Sequence, residues 1–118
     1  MGMRIEAKNG VAVIHSDEVI ITDTGAALDL IATVQYETGL DRVAIPKAAI
    51  AEDFFVLSNG IAGDVLQKFV NYRVKLAIVG DFSGYTSKPL RDFMVESNKG
   101  GHVYFVADEA DAVRRLSE

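Results

Sequence analysis

Apolar positions along this chain follow two alternating periods, and the switches between them divide it into strands and helices. Arg4 to Ala7 and Val11 to His15 are short β-like runs around Lys8-Asn9-Gly10. Asn and Gly both tolerate positive φ, so this spacing predicts a hairpin with a two-residue turn. Asp17 to Asp23 carries mixed signals, since Val19, Ile20 and Ile21 suit a strand while Thr22 and Asp23 suit a helix cap. A helix is expected from about Asp23, because Ala27, Leu28, Leu30, Ile31 and Val34 recur at three- and four-residue spacing and Gly39 supplies a stop. Asp41 to Ile45 reads as a buried strand closed by Pro46, which has no amide donor.

Lys47 to Asn59 contains Ala48, Ala49, Ile50, Phe54, Phe55, Val56 and Leu57, too apolar for a solvated loop. It is expected to pack over the core with a helical turn. Ile61, Val65, Leu66 and Phe69 give a second helical face up to about Tyr72, with Gly60 at its entrance and Gly63 read as allowing close approach. Val74 to Val79 has the length and composition of a central strand. Ser87 can cap the next helix, with Pro89 in its first turn and Leu90, Phe93 and Met94 inward, until Asn98 and Gly100 end it. Val103 to Val106 is a last strand. Asp108 to Leu116 is a terminal helix with Asp108, Glu109 and Asp111 at its positive end and Arg114 and Arg115 at its negative end. The order ββαβαβαβα predicts an α/β fold. It would hold one small mixed, mostly parallel sheet with packed helices and an antiparallel hairpin at one edge.

A length of 118 residues fits a single domain over 1–118. Hydrophobic residues at 49% and charged residues at 25% are ordinary globular values and exclude disorder as the default. A formal charge of -5 opposes binding to phosphate backbones and anionic membranes, so neither nucleic acid nor membrane is an expected partner. The absence of cysteine excludes disulfides, thiolate metal sites and cysteine nucleophiles, and it fits a cytoplasmic location. No window approaches the roughly 18 uninterrupted apolar residues of a membrane helix. Met1-Gly2-Met3 reads as an ordinary start, with Glu6 where a myristoylation signal has a small polar residue.

The element order resembles a STAS domain, the sulphate-transporter and anti-sigma-factor-antagonist fold, over almost the whole chain. Three segments resemble an uncharacterised bacterial domain-of-unknown-function family, DUF4180: EDFF at Glu52 to Phe55, AGDVLQKFVNYRVKLAIVGDF from Ala62 to Phe82, and SKPLRDFMVESNKG from Ser87 to Gly100. Membership in that family implies no assigned activity. STAS phosphoswitches carry a serine or threonine in a D-S-x-G-like turn before a helix, and the nearest segment is Leu57-Ser58-Asn59-Gly60, with Leu57 in place of the aspartate. The resemblance implies Ser58 as a modification site. A shifted alignment puts Gly63 at the later glycine and leaves no serine at the switch position.

Two candidate surfaces follow. Ser58, Asn59 and Gly60, approached by Glu52 and Asp53, would form a switch or partner surface. Glu52, Asp53, Asp81 and Ser83, at the carboxyl ends of parallel strands where open sheets place ligands, would hold a small polar molecule. The competing reading of these oxygens is turn and cap hydrogen bonding. GDFSGYTS lacks the lysine of a phosphate loop, and no histidine or EF-hand spacing marks a metal, so no metal, cofactor or catalytic residue is expected. The helix-end residues Lys68, Asn71, Tyr72 and Arg73, and Glu96, Ser97, Asn98 and Lys99, read either as caps or as a polar contact surface. A regulatory or protein-interaction module is therefore the leading reading. The alternatives are a small-molecule-binding domain or minor enzyme at the strand exits, and a structural homo-oligomer subunit.

Overall fold

The computed structural model describes residues 3–118, so Met1 and Gly2 and the reading placed on them lie outside the described residues. Its elements are β1 (Met3–Lys8), β2 (Val11–Ser16), α1 (Thr24–Thr38), β3 (Arg42–Pro46), α2 (Ile61–Asn71), β4 (Lys75–Val79), α3 (Lys88–Gly100), β5 (Val103–Val106) and α4 (Glu109–Leu116). The strands form one sheet in the spatial order β1-β2-β3-β4-β5. The first pair is antiparallel and the other pairs are parallel. Asn9 and Gly10 take φ of 51° and 79°, the turn chemistry that the Asn-Gly pair predicts.

The layers follow from this order. Each crossover from β2 to β5 advances one strand in the same direction, and right-handed crossovers that advance in one direction stack their helices on one face. Ala12, Ile14, Val43, Ile45, Leu76, Ile78, Val103 and Phe105 accordingly pack with buried residues of α1, α2 and α3. Side chains alternate across a strand, so Val11, Val13, Ala44, Ala77, Tyr104 and Val106 form the opposite face. There α4, released from the crossover pattern after β5, packs Ala112, Val113 and Leu116.

Local signals set the helix ends. Asp23 caps α1 by accepting from the Ala26 amide at 2.8 Å, and Gly39 ends it at a φ of 70°. Asp108 and Ser87 cap α4 and α3 in the same way. The ambiguous Asp17 to Asp23 segment resolves into a single parallel bridge from Ile21 to Ile50, with the Ala51 amide donating to the Ile21 carbonyl at 2.9 Å. Two expectations change. Gly63 faces open space, so it permits no close approach. Gly80 does, since a Cβ there would lie 2.7 Å from Lys47 Cβ. α3 ends at Gly100 as expected, but Asn98 lies inside its last turn and is not part of the stop.

Candidate functional site

The β3–α2 connection is built of three short 3-10 turns, Lys47–Ala49, Glu52–Phe55 and Leu57–Asn59. Its apolar residues split by position. Ala49, Ile50, Phe54 and Phe55 are buried and anchor the segment, whereas Val56 is 51% exposed. Phe54 and Phe55 meet edge to face at 5.0 Å, and Phe55 stacks on Tyr85 at 5.1 Å. Tyr85 lies in the connection after β4, so this stack ties together the exits of two neighbouring parallel strands.

Lys47 and Glu52 complete the tie. The Tyr85 hydroxyl donates to the Glu52 carboxylate, 2.9 and 3.0 Å from its two oxygens. Lys47 Nζ sits 3.6 Å from Glu52 and 5.0 Å from the centre of the Tyr85 ring, a cation–π distance. The lysine stem runs over Gly80, where a methyl group would strike it. Hydrogen bonding to Tyr85 holds the Lys47 pKa above its ordinary value, followed by the pull of Glu52. Burial raises the Tyr85 phenol, and Glu52 adds to the effect. Lys47 is thus a firm cation and Tyr85 a neutral donor, neither of them poised as a base.

The sequence-predicted residues divide around this cluster. Glu52 is part of it. Asp81 accepts from the Ser83 amide at 2.9 Å in an Asx turn; the Ser83 hydroxyl, the same amide and the charge of Lys47 together lower its pKa. Lys47 thus lies within ion-pair distance of Glu52, and its charge also reaches Asp81. Asp53 is exposed and contributes its carbonyl, which accepts from Asn59 Nδ2 at 2.9 Å. Asn59 also uses its Oδ1, which accepts from the Ile61 amide at 2.9 Å. Both ends of its amide therefore staple the second 3-10 turn to the start of α2. Gly60 adopts a φ of 79° with nothing near its absent side chain, so it serves backbone conformation rather than space.

Ser58 is exposed on the last 3-10 turn before α2. A groove of about 420 Å³ runs beside it, lined by Phe55, Val56, Leu57, Ser58, Ser87 and Pro89. One wall thus comes from the β3–α2 connection and the other from the start of α3. The sequence singled out Ser58 but neither this groove nor Lys47 and Tyr85. Their only signal was position, as polar or aromatic residues just beyond adjacent parallel strands.

A second concavity, about 270 Å³, lies on the α4 side at the ends of β2, β3 and β4, where Val13, Ala44, Pro46 and Val79 meet His15, Ser16 and Glu109. Its polar groups already have partners within the chain. His15 Nε2 is 2.9 Å from Glu6, Lys8 Nζ donates to Glu109 at 2.5 Å, and the Ser16 hydroxyl donates to the Glu18 carbonyl at 2.9 Å. Among the described residues no group of three or more His, Asp or Glu side chains is arranged to hold a metal ion. No described helix is long and apolar enough to cross a membrane.

The chain belongs to the domain of unknown function family DUF4180, whose model matches residues 6–116. No curated protein matches it. Among solved structures it is similar to a "putative anti-sigma factor antagonist" from Thermotoga maritima, at 11% identity and a TM-score of 0.52, covering 98% of this chain and 95% of that one. The fold is therefore STAS-like, as the element order implied.

Proposed function

We propose that this chain is a regulatory protein-interaction module whose contact surface is the groove between the β3–α2 connection and the start of α3, with Ser58 as its switch. The observation that carries this reading is that exposed Ser58 and half-exposed Val56 line the same groove. A partner's apolar side chain entering there would cover Val56, Leu57 and Pro89. A phosphate on Ser58 would add about 1.5 to 2 negative charges at the lip and oppose that burial. The STAS-like fold supports a partner of the anti-sigma-factor class, and fold alone names no more than that class.

The test is affinity capture of partners from the native source by the full chain, with intact-mass analysis of the captured material. Wild type and Ser58→Ala are expected to retain the same partner, and Ser58→Asp and Val56→Asp to lose it. Equal capture by wild type and Ser58→Asp would remove the switch. Equal capture by Val56→Asp would remove the groove.

A further inference from the structure

The two edges of the sheet are finished differently. At the β5 edge the side chain of Asn98 takes the place of a neighbouring strand. Its Nδ2 donates to the Phe105 carbonyl at 3.1 Å, and its Oδ1 accepts from the Phe105 amide at 2.7 Å. That edge is closed to further pairing. β1, at the other end of the sheet, has β2 on one side and, among the described residues, no strand on the other.

The register of the hairpin shows which groups β1 leaves outward. A two-residue turn makes the flanking pair, Lys8 and Val11, a hydrogen-bonded pair, and the pattern then alternates. Glu6 with Val13 and Arg4 with His15 are hydrogen-bonded pairs, and Ala7, Ile5 and Met3 oppose β2 without bonding to it. The amides and carbonyls of Met3, Ile5 and Ala7 thus point away from the sheet. Their side chains share one face, where Met3 and Ile5 are only partly buried against the core. Arg4, Glu6 and Lys8 lie on the other face.

We infer that β1 is a self-complementary interface that pairs antiparallel with β1 of a second copy, joining two sheets about a two-fold axis at Ile5. In that register Ile5 faces the second copy's Ile5 and exchanges both backbone hydrogen bonds, and Met3 does the same with the second copy's Ala7. These are the residues whose backbone groups are turned outward. Arg4 then faces the second copy's Glu6, and Glu6 faces its Arg4, in non-hydrogen-bonded pairs where side chains stand closest. Charged edge strands usually discourage pairing. Here the alternation of sign makes the strand attractive to its own antiparallel copy, while the apolar remainders of the two Ile5 side chains come together on the opposite face. Two-fold pairing of one patch with itself is the commonest form of oligomer. The interface shares no residue with the Ser58 groove, so it stands or falls independently of the proposed function.

Sedimentation equilibrium across the micromolar to millimolar range tests this interface. Wild type is expected to dimerise with concentration. R4E and E6R, each placing like charges opposite one another, are expected to raise the dimer dissociation constant by about tenfold or more. An equimolar mixture of R4E and E6R restores opposite charges at both contacts and is expected to form the heterodimer. A wild type monomeric throughout, a dimer unaffected by R4E, or a mixture that stays monomeric would each overturn the inference. Hydrogen exchange on unmodified protein gives a readout free of folding effects: the Ile5 and Ala7 amides gain protection with concentration, while those of Arg4 and Glu6 do not change. Ile5 and Ala7 amides that exchange equally fast at every concentration would also overturn it.

Discussion

The β3–α2 and β5–α4 connections leave the same end of the same parallel sheet, yet only one of them builds a surface. After β5 the chain passes through Ala107 and Asp108 and enters α4 at once. Asp108 caps the helix with its carboxylate on the Asp111 amide at 2.8 Å. After β3 the chain takes three 3-10 turns, buries Phe54 and Phe55, and leaves Val56 and Ser58 outside. A short connection needs only a cap. A long one must find its own anchors, and once anchored it can hold exposed residues in fixed positions.

The largest expected effect separates the two connections by their dependence on burial. Phe54 is 2% exposed, so Phe54→Ala is expected to destabilise the protein by about 3 to 5 kcal/mol. Replacement of exposed Ala107 by serine is expected to change stability by less than about 0.5 kcal/mol. Urea unfolding midpoints at constant m-value check both. Comparable losses from the two would break the comparison.

Next come the devices that begin the following helix. Asp108→Ala removes a side-chain cap and is expected to cost about 1 kcal/mol. Gly60→Ala is expected to cost a similar amount, about 1 kcal/mol, for a different reason, because its φ is positive while its surroundings are open. Asn59→Ala releases both the Asp53 carbonyl and the Ile61 amide, at about 1 kcal/mol, and is expected to speed hydrogen exchange at Ile61. Unchanged exchange there would show that Asn59 is not the staple.

The smallest effect is electrostatic. The pKa values of Lys47 and Tyr85 are raised, so the folded chain holds these protons more tightly than the unfolded one. Their contribution is complete below the unfolded values near about 10 and falls as pH rises through the folded ones. Lys8, raised by its bond to Glu109, acts in the same direction on the α4 side. Tyr85→Phe keeps the stack on Phe55 but removes the donor to Glu52. It is expected to cost under about 1 kcal/mol at neutral pH and to make the alkaline decline shallower. Ultraviolet titration of the phenols should lose its highest-pH component in that variant. A decline of unchanged steepness would place the alkaline sensitivity elsewhere, with Lys8 as the next residue to replace. Glu6 and Asp81 run the other way. Their lowered values give stability that is present above about 4 and lost as pH falls.

Much of the fold was legible because its signals are local. Asn9-Gly10, Asp23, Gly39 and Ser87 each act within a few residues of themselves and occupy the turns and caps expected of them, while Asp108, read as an acidic residue at the positive end of the last helix, serves as its cap. Ser58 was legible as an exposed residue before a helix for the same reason. Gly63 and Gly80 show where this reading stops. Both are small residues in apolar surroundings, and only the path of the Lys47 stem decides that Gly80 is the close approach. Asn98 reads as a helix terminator until β5 lies beside α3, and it then closes the sheet.

What the sequence determined by itself is the order of strands and helices and most of the turns and caps between them, because periodicity and turn chemistry operate through neighbouring residues. The tertiary structure alone decided that Lys47, Glu52 and Tyr85 form one cluster, that Ser58 shares a groove with Pro89, and that one sheet edge is closed and the other open. The Glu52–Tyr85 and Ser58–Pro89 pairings span tens of residues, and they, like the finish of each sheet edge, are set by sheet register and helix packing, which no local signal encodes.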